Sequence, residues 1–352
     1  MRAKLQLMLD RLLEREDLAE HEAGELLAAL AGSTAGSTAG STVEPALAGA
    51  LLAALRAKGV TAAELRGFAT AMRTLARKPQ LPSPLRAVDI VGTGGDRSGS
   101  LNLSTGAALL AAASGVPVVK HGNRALSSRA GSADVLEAMG LQVALDEQRA
   151  GACFAATGFT FLYAPHYHPA MKNIAPVRAA LGVRTVFNIL GPLSNPAAPP
   201  CHVIGAYDLS TAQLIAAALA GMDIERAFVI HGAGGWDEPT PIGPFDLLEV
   251  RGGTVRSGRR DPGDYGLARC APEDLAGGDA VHNAGLLRRV LVDRERGPRR
   301  DALLLGAALA LEVSGVESEP RAAVARLERT IDSGAAANWL TDLLRFHQAG
   351  SA

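Results

Sequence analysis

The sequence has few cysteines and few aromatic residues, and it lacks long uninterrupted apolar runs. Its 352 residues include three cysteines, Cys153, Cys201 and Cys270, and 4% aromatic residues. An odd number of widely spaced cysteines argues against a disulfide framework and against a C-x-x-C metal site. The apolar runs are broken by glycine or charge, well short of the ~18 residues that a membrane span needs. We therefore expect core or surface thiols and no membrane association.

A charge excess of one sign is also missing, because the formal net charge is −1. Nonspecific nucleic-acid binding needs a basic surface, so we expect no nucleic-acid partner, and any anion site must be built locally. The stretch MRAKLQLMLDRLLERED at 1–17 is charged throughout and lacks the apolar segment of a signal peptide, which predicts a cytoplasmic protein. What the chain has is apolar material: 48% of its residues are hydrophobic, enough for one large domain or two.

The region 5–76 has the apolar spacing of helices. Thr61 and Glu64 have the spacing of a capping box, which predicts that a helix begins there. Another predicted helix has Pro45 in its first turn and Gly59 as its stop signal.

A repeat of small residues, AGSTAGSTAGST, interrupts these helices at 31–42. Such a composition cannot bury enough surface to fix its own conformation, so we interpret it as a flexible insertion without chemistry. The alternative, a phosphate-binding loop, is disfavoured because no predicted strand precedes it.

The pattern changes after KPQLPSP at 78–84, where short β-branched or apolar runs begin to alternate with alanine-rich helical stretches. This alternation predicts an α/β fold with a mainly parallel sheet flanked by helices. The predicted strands are 87–91, 116–120, 159–163, 203–207 and 227–231. Ligands of such sheets bind beyond the carboxyl ends of the strands, so the loops after these strands are the candidate site.

The loop after the first of these strands is GTGGDRSGS at 92–100. Glycines let backbone N–H groups approach an anion, and the next helix, which we expect Ser104 or Thr105 to cap and which runs to about 114, adds partial positive charge. The loop matches neither a P-loop nor a G-x-G-x-x-G motif. It is a phosphate-binding candidate, with a plain glycine-rich turn as the alternative.

The second strand leads into KHGNRALSSRAGSAD at 120–134. The segment combines cationic side chains with hydroxyl and amide donors around a turn at Gly122, and Ser132 is a candidate cap for a helix that ends before Gly140. Alone, this pattern also fits a solvated basic loop, but beside the first loop it indicates the second wall of a phosphate site. The contributing residues are Lys120, Arg124 and Arg129 for charge, and Asn123, Ser127, Ser128 and Ser132 for hydrogen bonds.

Two further motifs could bind metal. Asp237 and Glu238 follow the strand AFVIH and a glycine-rich turn. Adjacent carboxylates are usually solvated, but near pyrophosphate they suit Mg²⁺, which takes one or two carboxylates together with phosphate oxygens and water. The HYH stretch at 166–168 has no further ligand cluster nearby, so packing or a substrate channel is favoured over zinc.

Several motifs together resemble the anthranilate phosphoribosyltransferase family over about residues 5–345. They are GTGGD at 92–96, NLST at 102–105, KHGNRALSS at 120–128, YHPAM at 167–171, PVRAALGVRTVFNILGPLSNPA at 176–197 and DEPTPIG at 237–243. Their order and spacing are those of the family, which is more specific than any single match.

The resemblance implies a small N-terminal all-helical domain and a larger α/β domain with a mainly parallel central sheet. The helical domain comprises 1–80 plus about 171–196, with the insertion at 31–42, and the α/β domain comprises 86–170 and 197–348. The implied reaction transfers the 5-phosphoribosyl group of phosphoribosyl pyrophosphate (PRPP) to the amine of anthranilate. The products are N-(5-phosphoribosyl)anthranilate and pyrophosphate, in the second step of the tryptophan branch. A homodimer that uses Mg²⁺ is implied as well.

The resemblance also implies a role for each matching position, and it assigns no general base. Orientation and electrostatics come from Arg178, Lys120 and His121. The PRPP-binding residues are Gly92, Gly95, Asp96, Ser100, Asn102, Leu103, Ser104, Thr105, Lys120, His121, Gly122, Asn123, Arg124, Ala125, Leu126, Ser127, Ser128 and Ser132. The anthranilate-binding residues are Gly92, His121, Asn123, His168 and Arg178. The metal-binding residues are Ser104, Asp237 and Glu238.

The sequence departs from the family pattern at two places and leaves three rivals. The repeat lengthens the helical domain, and Pro239 stands where the family usually has an aliphatic residue, which stiffens the loop beside the acidic pair. The rivals are a pyrimidine-nucleoside phosphorylase, a noncatalytic relative that binds nucleic acid, and a phosphoribosyltransferase of the same fold with another acceptor. KHGNR and the acidic pair fit the first poorly, GTGGD and the net charge fit the second poorly, and only substrate tests separate the third.

Overall fold

The computed structural model describes residues 1–32, 43–125 and 129–349. Most of the small-residue repeat, 33–42, therefore lies outside the described residues, as do the predicted PRPP-binding residues Leu126, Ser127 and Ser128. Within the described residues, no helix is both long and apolar enough to cross a membrane.

Four helices form the N-terminal part of the chain, and their boundaries follow the predicted signals. Thr61 is the N-cap of the fourth helix, and it forms the capping box with Glu64. Pro45 begins the third helix, and Gly59 is its C-cap. The helices are α1 (Arg2–Leu13), α2 (Glu20–Leu30), α3 (Pro45–Lys58) and α4 (Ala62–Leu75).

A seven-stranded sheet forms the centre of the remaining chain. Its order is β3-β2-β1-β4-β5-β6-β7, in which the first five strands are parallel and the last two antiparallel. The strands are β1 (Val88–Gly92), β2 (Val118–Gly122), β3 (Phe159–Tyr163), β4 (Cys201–Gly205), β5 (Arg226–His231), β6 (Phe245–Arg251) and β7 (Thr254–Arg260). The predicted fold class is confirmed. The five predicted strands are present within two residues of their predicted bounds, whereas β6 and β7 were not predicted.

Helices cover both faces of this sheet. They are α5 (Leu103–Ala113), α6 (Ser132–Ala138), α7 (Glu147–Thr157), α8 (Ala164–Tyr167), α9 (Ala175–Leu181), α10 (Phe187–Leu190), α11 (Leu209–Ala220), α12 (Ala280–Leu291), α13 (Pro298–Val313), α14 (Pro320–Asp332) and α15 (Ala335–Gln348). The apolar helices α5 and α13 lie in the core on one face.

A second hydrophobic core joins the N-terminal helices to the segment that carries α9 and α10. Ile174 and Val177 are buried in this core with residues of α3 and α4, and Phe187 packs edge-to-face on Phe68 with ring centroids 6.1 Å apart. The same core continues onto the sheet through Ile204. The middle segment is therefore packed against the N-terminal helices at the sheet.

The predicted caps of two helices were wrong. Asn102 precedes α5 as its N-cap residue and makes no side-chain cap bond, so Ser104 and Thr105 lie inside the first turn. Ser132 is likewise the first residue of α6 and not its cap. At α5 the distant carboxylate of Glu238 accepts from Ser104 N, whereas at α6 Asp134, within the helix itself, accepts from the N-cap Gly131 N and from Ala125 N.

Candidate active site

The candidate site lies where the connections of the sheet diverge, between β1 and β4. Gly92 and Gly205 end these strands side by side, and Asp237 passes directly across both. A Cβ atom at Gly205 would lie 1.4 Å from the Asp237 carbonyl oxygen, and one at Gly92 would lie 2.4 Å from its Oδ2. Only glycine permits so close an approach, so these two residues seat the acidic loop in the crevice where α/β sheets bind ligands.

The acidic pair holds the N–H groups that the sequence assigned to phosphate. Gly94 N donates to Asp237 Oδ2 at 2.5 Å, and Ser104 N, in the first turn of α5, donates to Glu238 Oε1 at 2.8 Å. The glycine-rich loop and the N-terminus of α5 therefore face the two carboxyl groups, and phosphate binding at these N–H groups stays a prediction.

Burial and mutual repulsion disfavour the charged forms of these carboxylates. Burial and the neighbouring Asp96 raise the pKa of Asp237 to about 7, and burial and Asp237 raise the pKa of Glu238 well above its usual value. Neither forms a salt bridge within the part of the chain that the structure describes. Two adjacent carboxylates that form no salt bridge suit a divalent cation, and Mg²⁺ completes its coordination with phosphate oxygens and water. Pro239 lies beneath them, beside a cavity of about 20 Å³.

Backbone contacts fix the far end of the glycine-rich loop. Leu101 N donates to Leu275 O, and Gly277 N donates to Gly99 O, each at 2.9 Å. Asn102 Nδ2 donates to Ala130 O at 3.0 Å and thereby joins the two predicted phosphate loops. Asn102 Oδ1 accepts from the buried Asn283 Nδ2 at 2.8 Å, so the side chain of Asn102 is engaged within the protein.

The other predicted PRPP-binding residues of this loop differ in burial and in their hydrogen bonds. Leu103 is buried in the core, whereas Ser100 accepts a hydrogen bond from Ser98 Oγ at 3.1 Å. Thr105 is buried, and its hydroxyl has no hydrogen-bond partner among the described residues. Gly95 has a φ of +80° at the turn of the loop.

Lys120 is buried beneath the site. Its ammonium donates to Ile90 O at 2.5 Å, near the carboxylates of Asp89 and Glu238, and burial lowers its pKa. Asp89 is fully buried, which raises its pKa to about 6, and its Oδ2 accepts from Asn195 Nδ2 at 2.8 Å. Sequence reasoning missed Asp89 and Asn195. An acid inside the apolar strand VDIVG was the available signal.

The second loop is held by α6. Arg124 forms ion pairs with Glu137 at 2.6 Å and Asp134 at 2.9 Å on the surface, and both partners belong to α6. Asp134 Oδ2 also accepts from Ala125 N at 2.9 Å. Gly122 approaches Ser132 closely, because a Cβ at Gly122 would lie 2.3 Å from Ser132 Oγ.

Asn123 and Arg129, also in the second loop, are exposed.

Two histidines meet near the site, His121 toward the carboxyl end of strand β2 and His168 directly after α8. The rings of His121 and His168 are buried with centroids 5.1 Å apart, and the Nε2 atom of each lacks a partner among the described residues. Burial first, and then the neighbouring His168, lowers the pKa of His121 to about 3, whereas burial and then the charge of Lys78 lower the pKa of His168 to about 4. Both are therefore neutral at pH 7. His166 instead lies 3.4 Å from Glu147, so the HYH stretch does not bring its histidines together.

Two arginines lie on the segment that contains α9 and α10, and one of them, Arg184, contacts the glycine-rich loop. Arg178 is half-buried with its guanidinium 5.0 Å from the Phe187 ring centroid, and burial lowers its pKa. It forms no salt bridge with any described residue. Arg184, whose role sequence reasoning missed, donates from Nη2 to Gly95 O at 2.5 Å and lies over the Tyr207 ring.

This combination of fold and site is typical of a glycosyltransferase that takes a phosphorylated sugar donor. Residues 85–337 match the family model described as the glycosyl transferase family a/b domain, and residues 6–76 match the model of the helical bundle domain of a glycosyl transferase family.

Known proteins narrow this class to one family. An anthranilate phosphoribosyltransferase of Desulforudis audaxviator is 48% identical over 339 residues, 96% of this chain and 95% of the relative. The crystal structure of the Thermus thermophilus enzyme of that name is 41% identical, with a TM-score of 0.88 over 97% of this chain and 99% of that chain. The Saccharomyces cerevisiae enzyme in complex with PRPP and Mg is 26% identical, with a TM-score of 0.87 over 99% of both chains. The chain belongs to the anthranilate phosphoribosyltransferase family.

Proposed function

We propose that this protein transfers the 5-phosphoribosyl group of PRPP to the amine of anthranilate and releases pyrophosphate. The observation that carries the proposal is the crevice between β1 and β4, where the glycine-rich loop, the N-terminus of α5 and the Asp237–Glu238 pair meet. Related enzymes with this fold are named anthranilate phosphoribosyltransferase, and the structure of one of them is in complex with PRPP and Mg.

The donor is bound along the two loops after β1 and β2. Backbone N–H groups of the glycine-rich loop and the first turn of α5, with the Thr105 hydroxyl, serve as phosphate donors. Lys120 adds positive charge from below, close to Glu238. Departure of pyrophosphate develops negative charge, which preoriented donors of this kind stabilise without reorganisation.

The cofactor in this proposal is Mg²⁺, held by Asp237, Glu238 and the Ser104 hydroxyl. When bound, the ion neutralises charge on the leaving pyrophosphate. In the structure, the two carboxylates accept hydrogen bonds from Gly94 N and Ser104 N.

The acceptor is held from the opposite side by Arg178, with Asn123, Gly92 and the two histidines. A guanidinium without a carboxylate partner among the described residues suits the carboxylate of anthranilate, because such charge-assisted pairs bind with fixed geometry. An aromatic amine is already neutral at pH 7, so the residues orient it and no strong general base is required. The low pKa values of His121 and His168 keep these rings uncharged beside the aromatic acceptor.

Product identification tests the proposal against its rivals. Purified protein with PRPP, Mg²⁺ and anthranilate should give N-(5-phosphoribosyl)anthranilate, detected by mass, and pyrophosphate, detected as phosphate after cleavage by an added pyrophosphatase. Phosphorolysis of thymidine or uridine would instead support the nucleoside phosphorylase. Turnover of another aromatic amine, with none of anthranilate, would change the acceptor and leave the donor site in place.

We also propose the two-domain division and the homodimer. The helical domain comprises 1–80 with about 171–196, and the shared core of these segments supports that grouping. For the dimer, the support is on α1, where Leu7 is 61% exposed and Leu13 is 63% exposed. Single exposed apolar side chains also occur on monomers, so these two leucines locate the proposed contact and the homodimer itself is proposed from the family resemblance.

A further inference from the structure

Arg184 joins the acceptor side of the site to the donor loop. It lies between α9, which carries Arg178, and α10, and its Nη2 donates to the carbonyl oxygen of Gly95 at 2.5 Å. The contact spans 89 positions of the sequence. We call residues 175–190, which carry α9 and α10, the acceptor segment because they include Arg178. A side chain of this segment therefore holds the turn of the glycine-rich loop.

The geometry of Gly95 depends on this contact. Its φ is +80°, and a Cβ atom there would lie 2.7 Å from Arg184 Nη2. A turn of two glycines with positive φ, Gly94 and Gly95, has many alternative conformations. A donor that fixes the Gly95 carbonyl also fixes the direction of the Asp96 N–H group, because the two belong to one planar peptide unit.

Tyr207 completes the contact from the end of β4. The Arg184 guanidinium carbon lies 4.2 Å from the centroid of the Tyr207 ring, a stacking distance for a guanidinium. Tyr207 N in turn donates to Thr93 Oγ1 at 3.3 Å, at the start of the same loop. Arg184 has no carboxylate partner among the described residues, so its contacts on this surface are the loop and the ring.

We propose that Arg184 is a positioning residue for PRPP: stacked on Tyr207, it holds the Gly94–Gly95 turn in the conformation that receives the pyrophosphate. The inference rests on the proposed function. It assigns a donor-side role to a residue of the acceptor segment, whereas Arg178 on the same segment acts on anthranilate.

Calorimetric binding of PRPP with Mg²⁺, in the absence of anthranilate, tests this role directly. Arg184→Gln should weaken PRPP binding about tenfold, the scale of one charge-assisted hydrogen bond. Tyr207→Ala should weaken it in the same direction, and the double variant should bind no worse than Arg184→Gln alone because the two side chains act as one unit. Arg184→Lys should not restore binding, since an ammonium lacks the planar stacking group.

Steady-state kinetics separates positioning from a general structural effect. In Arg184→Gln, KM for PRPP should rise, while kcat and KM for anthranilate stay near wild type. Arg321→Ala is the matched control, because Arg321 Nη2 also donates to a glycine carbonyl, Gly263 O, at 3.1 Å, but on α14. This control should bind PRPP like wild type.

Three results would overturn the role of Arg184. They are unchanged PRPP binding in Arg184→Gln, full restoration by lysine, and single effects that multiply in the double variant. Wild-type protein that binds PRPP without consuming anthranilate would remove the proposed acceptor only, and the binding series would still decide the role of Arg184. Wild-type protein that fails to bind PRPP would overturn both.

Discussion

At the scale of single residues, the site is defined by two carboxylates and one arginine that form no salt bridge with any described residue. Asp237 is 7% exposed beside Glu238, and the groups that hold the two carboxylates are backbone N–H donors. Arg178 is a half-buried cation without a salt bridge in the described ranges. Uncompensated charges of this kind lower stability, and proteins retain them where a ligand supplies the counter-charge.

The acidic pair gives the first prediction. Asp237→Asn with Glu238→Gln should lower kcat/KM for PRPP at least about 100-fold, the scale seen when transition-state charge loses its stabilisation. The Mg²⁺ concentration for half-maximal rate should rise, because amides bind the ion more weakly than carboxylates. A magnesium titration identical to that of wild type would remove the pair from the metal site.

Arg178 gives the second prediction. Arg178→Ala should raise KM for anthranilate by about 10- to 100-fold, since one charge-assisted pair is lost, and should change KM for PRPP much less. Initial rates with each substrate varied in turn give the two constants. Equal increases in both would mean that Arg178 supports the structure and does not recognise the acceptor.

At the scale of elements, the close packing of strand ends and acidic loop explains why glycine ends both β1 and β4. Replacing Gly205 by alanine places a Cβ atom on the Asp237 carbonyl, so the loop must move away from the crevice.

This packing gives the third prediction. Gly205→Ala should reduce kcat/KM for PRPP by at least about tenfold, because sub-ångström errors in a site are costly. Gly285→Ala is its control: Gly285 is exposed within α12 with open space around it, so activity should be unchanged. The free energy of unfolding of this control should rise by about 0.5–1 kcal/mol from helix propensity. Wild-type activity in Gly205→Ala would contradict the role assigned to the strand ends.

The sequence predicts elements well where the signal is local. The capping box of Thr61 and Glu64 and the five parallel strands carry their own patterns, so the fold class and the loops of the site follow from them. The strands β6 and β7 were missed because FDLLEVR and TVRSGRR are charged and one of them, β7, is exposed. The start of α5 was missed because its partner, Glu238, lies 134 positions away from Ser104, whereas at α6 the local contact of Gly131 N with Asp134 was overlooked in favour of the Ser132 hydroxyl.

Contacts between distant segments account for the site residues that were missed. Asn195 reaches Asp89 across 106 positions, and Arg184 reaches Gly95 across 89. No local pattern marks such pairs. The ion pair of Arg124 with Glu137 was not predicted either, and the proposed role of Arg124 in binding PRPP stays a prediction.

At the scale of the whole molecule, the site combines two packing units. The donor loops belong to the sheet, whereas Arg178 and Arg184 come from a segment packed with the N-terminal helices. Binding of both substrates therefore depends on how these units are held together, and α1, with its exposed leucines, lies on the outside of one of them.

The homodimer gives the fourth prediction. Leu7→Glu with Leu13→Glu should convert a dimer into a monomer in sedimentation velocity, because a charge on each buried contact opposes association. Val281→Glu is the control, since Val281 is 75% exposed on α12 and outside the proposed interface. A wild-type protein that sediments as a monomer at micromolar concentration contradicts the proposed dimer.

The central claim, transfer of phosphoribosyl to anthranilate, is tested most directly by the fluorescence of anthranilate. Purified protein, PRPP and Mg²⁺ are added together, and each is omitted in turn. The account predicts a loss of fluorescence that requires all three. Persistent fluorescence in the complete mixture, with PRPP binding still detectable by calorimetry, would contradict the acceptor and leave the phosphate-binding crevice to serve a different amine.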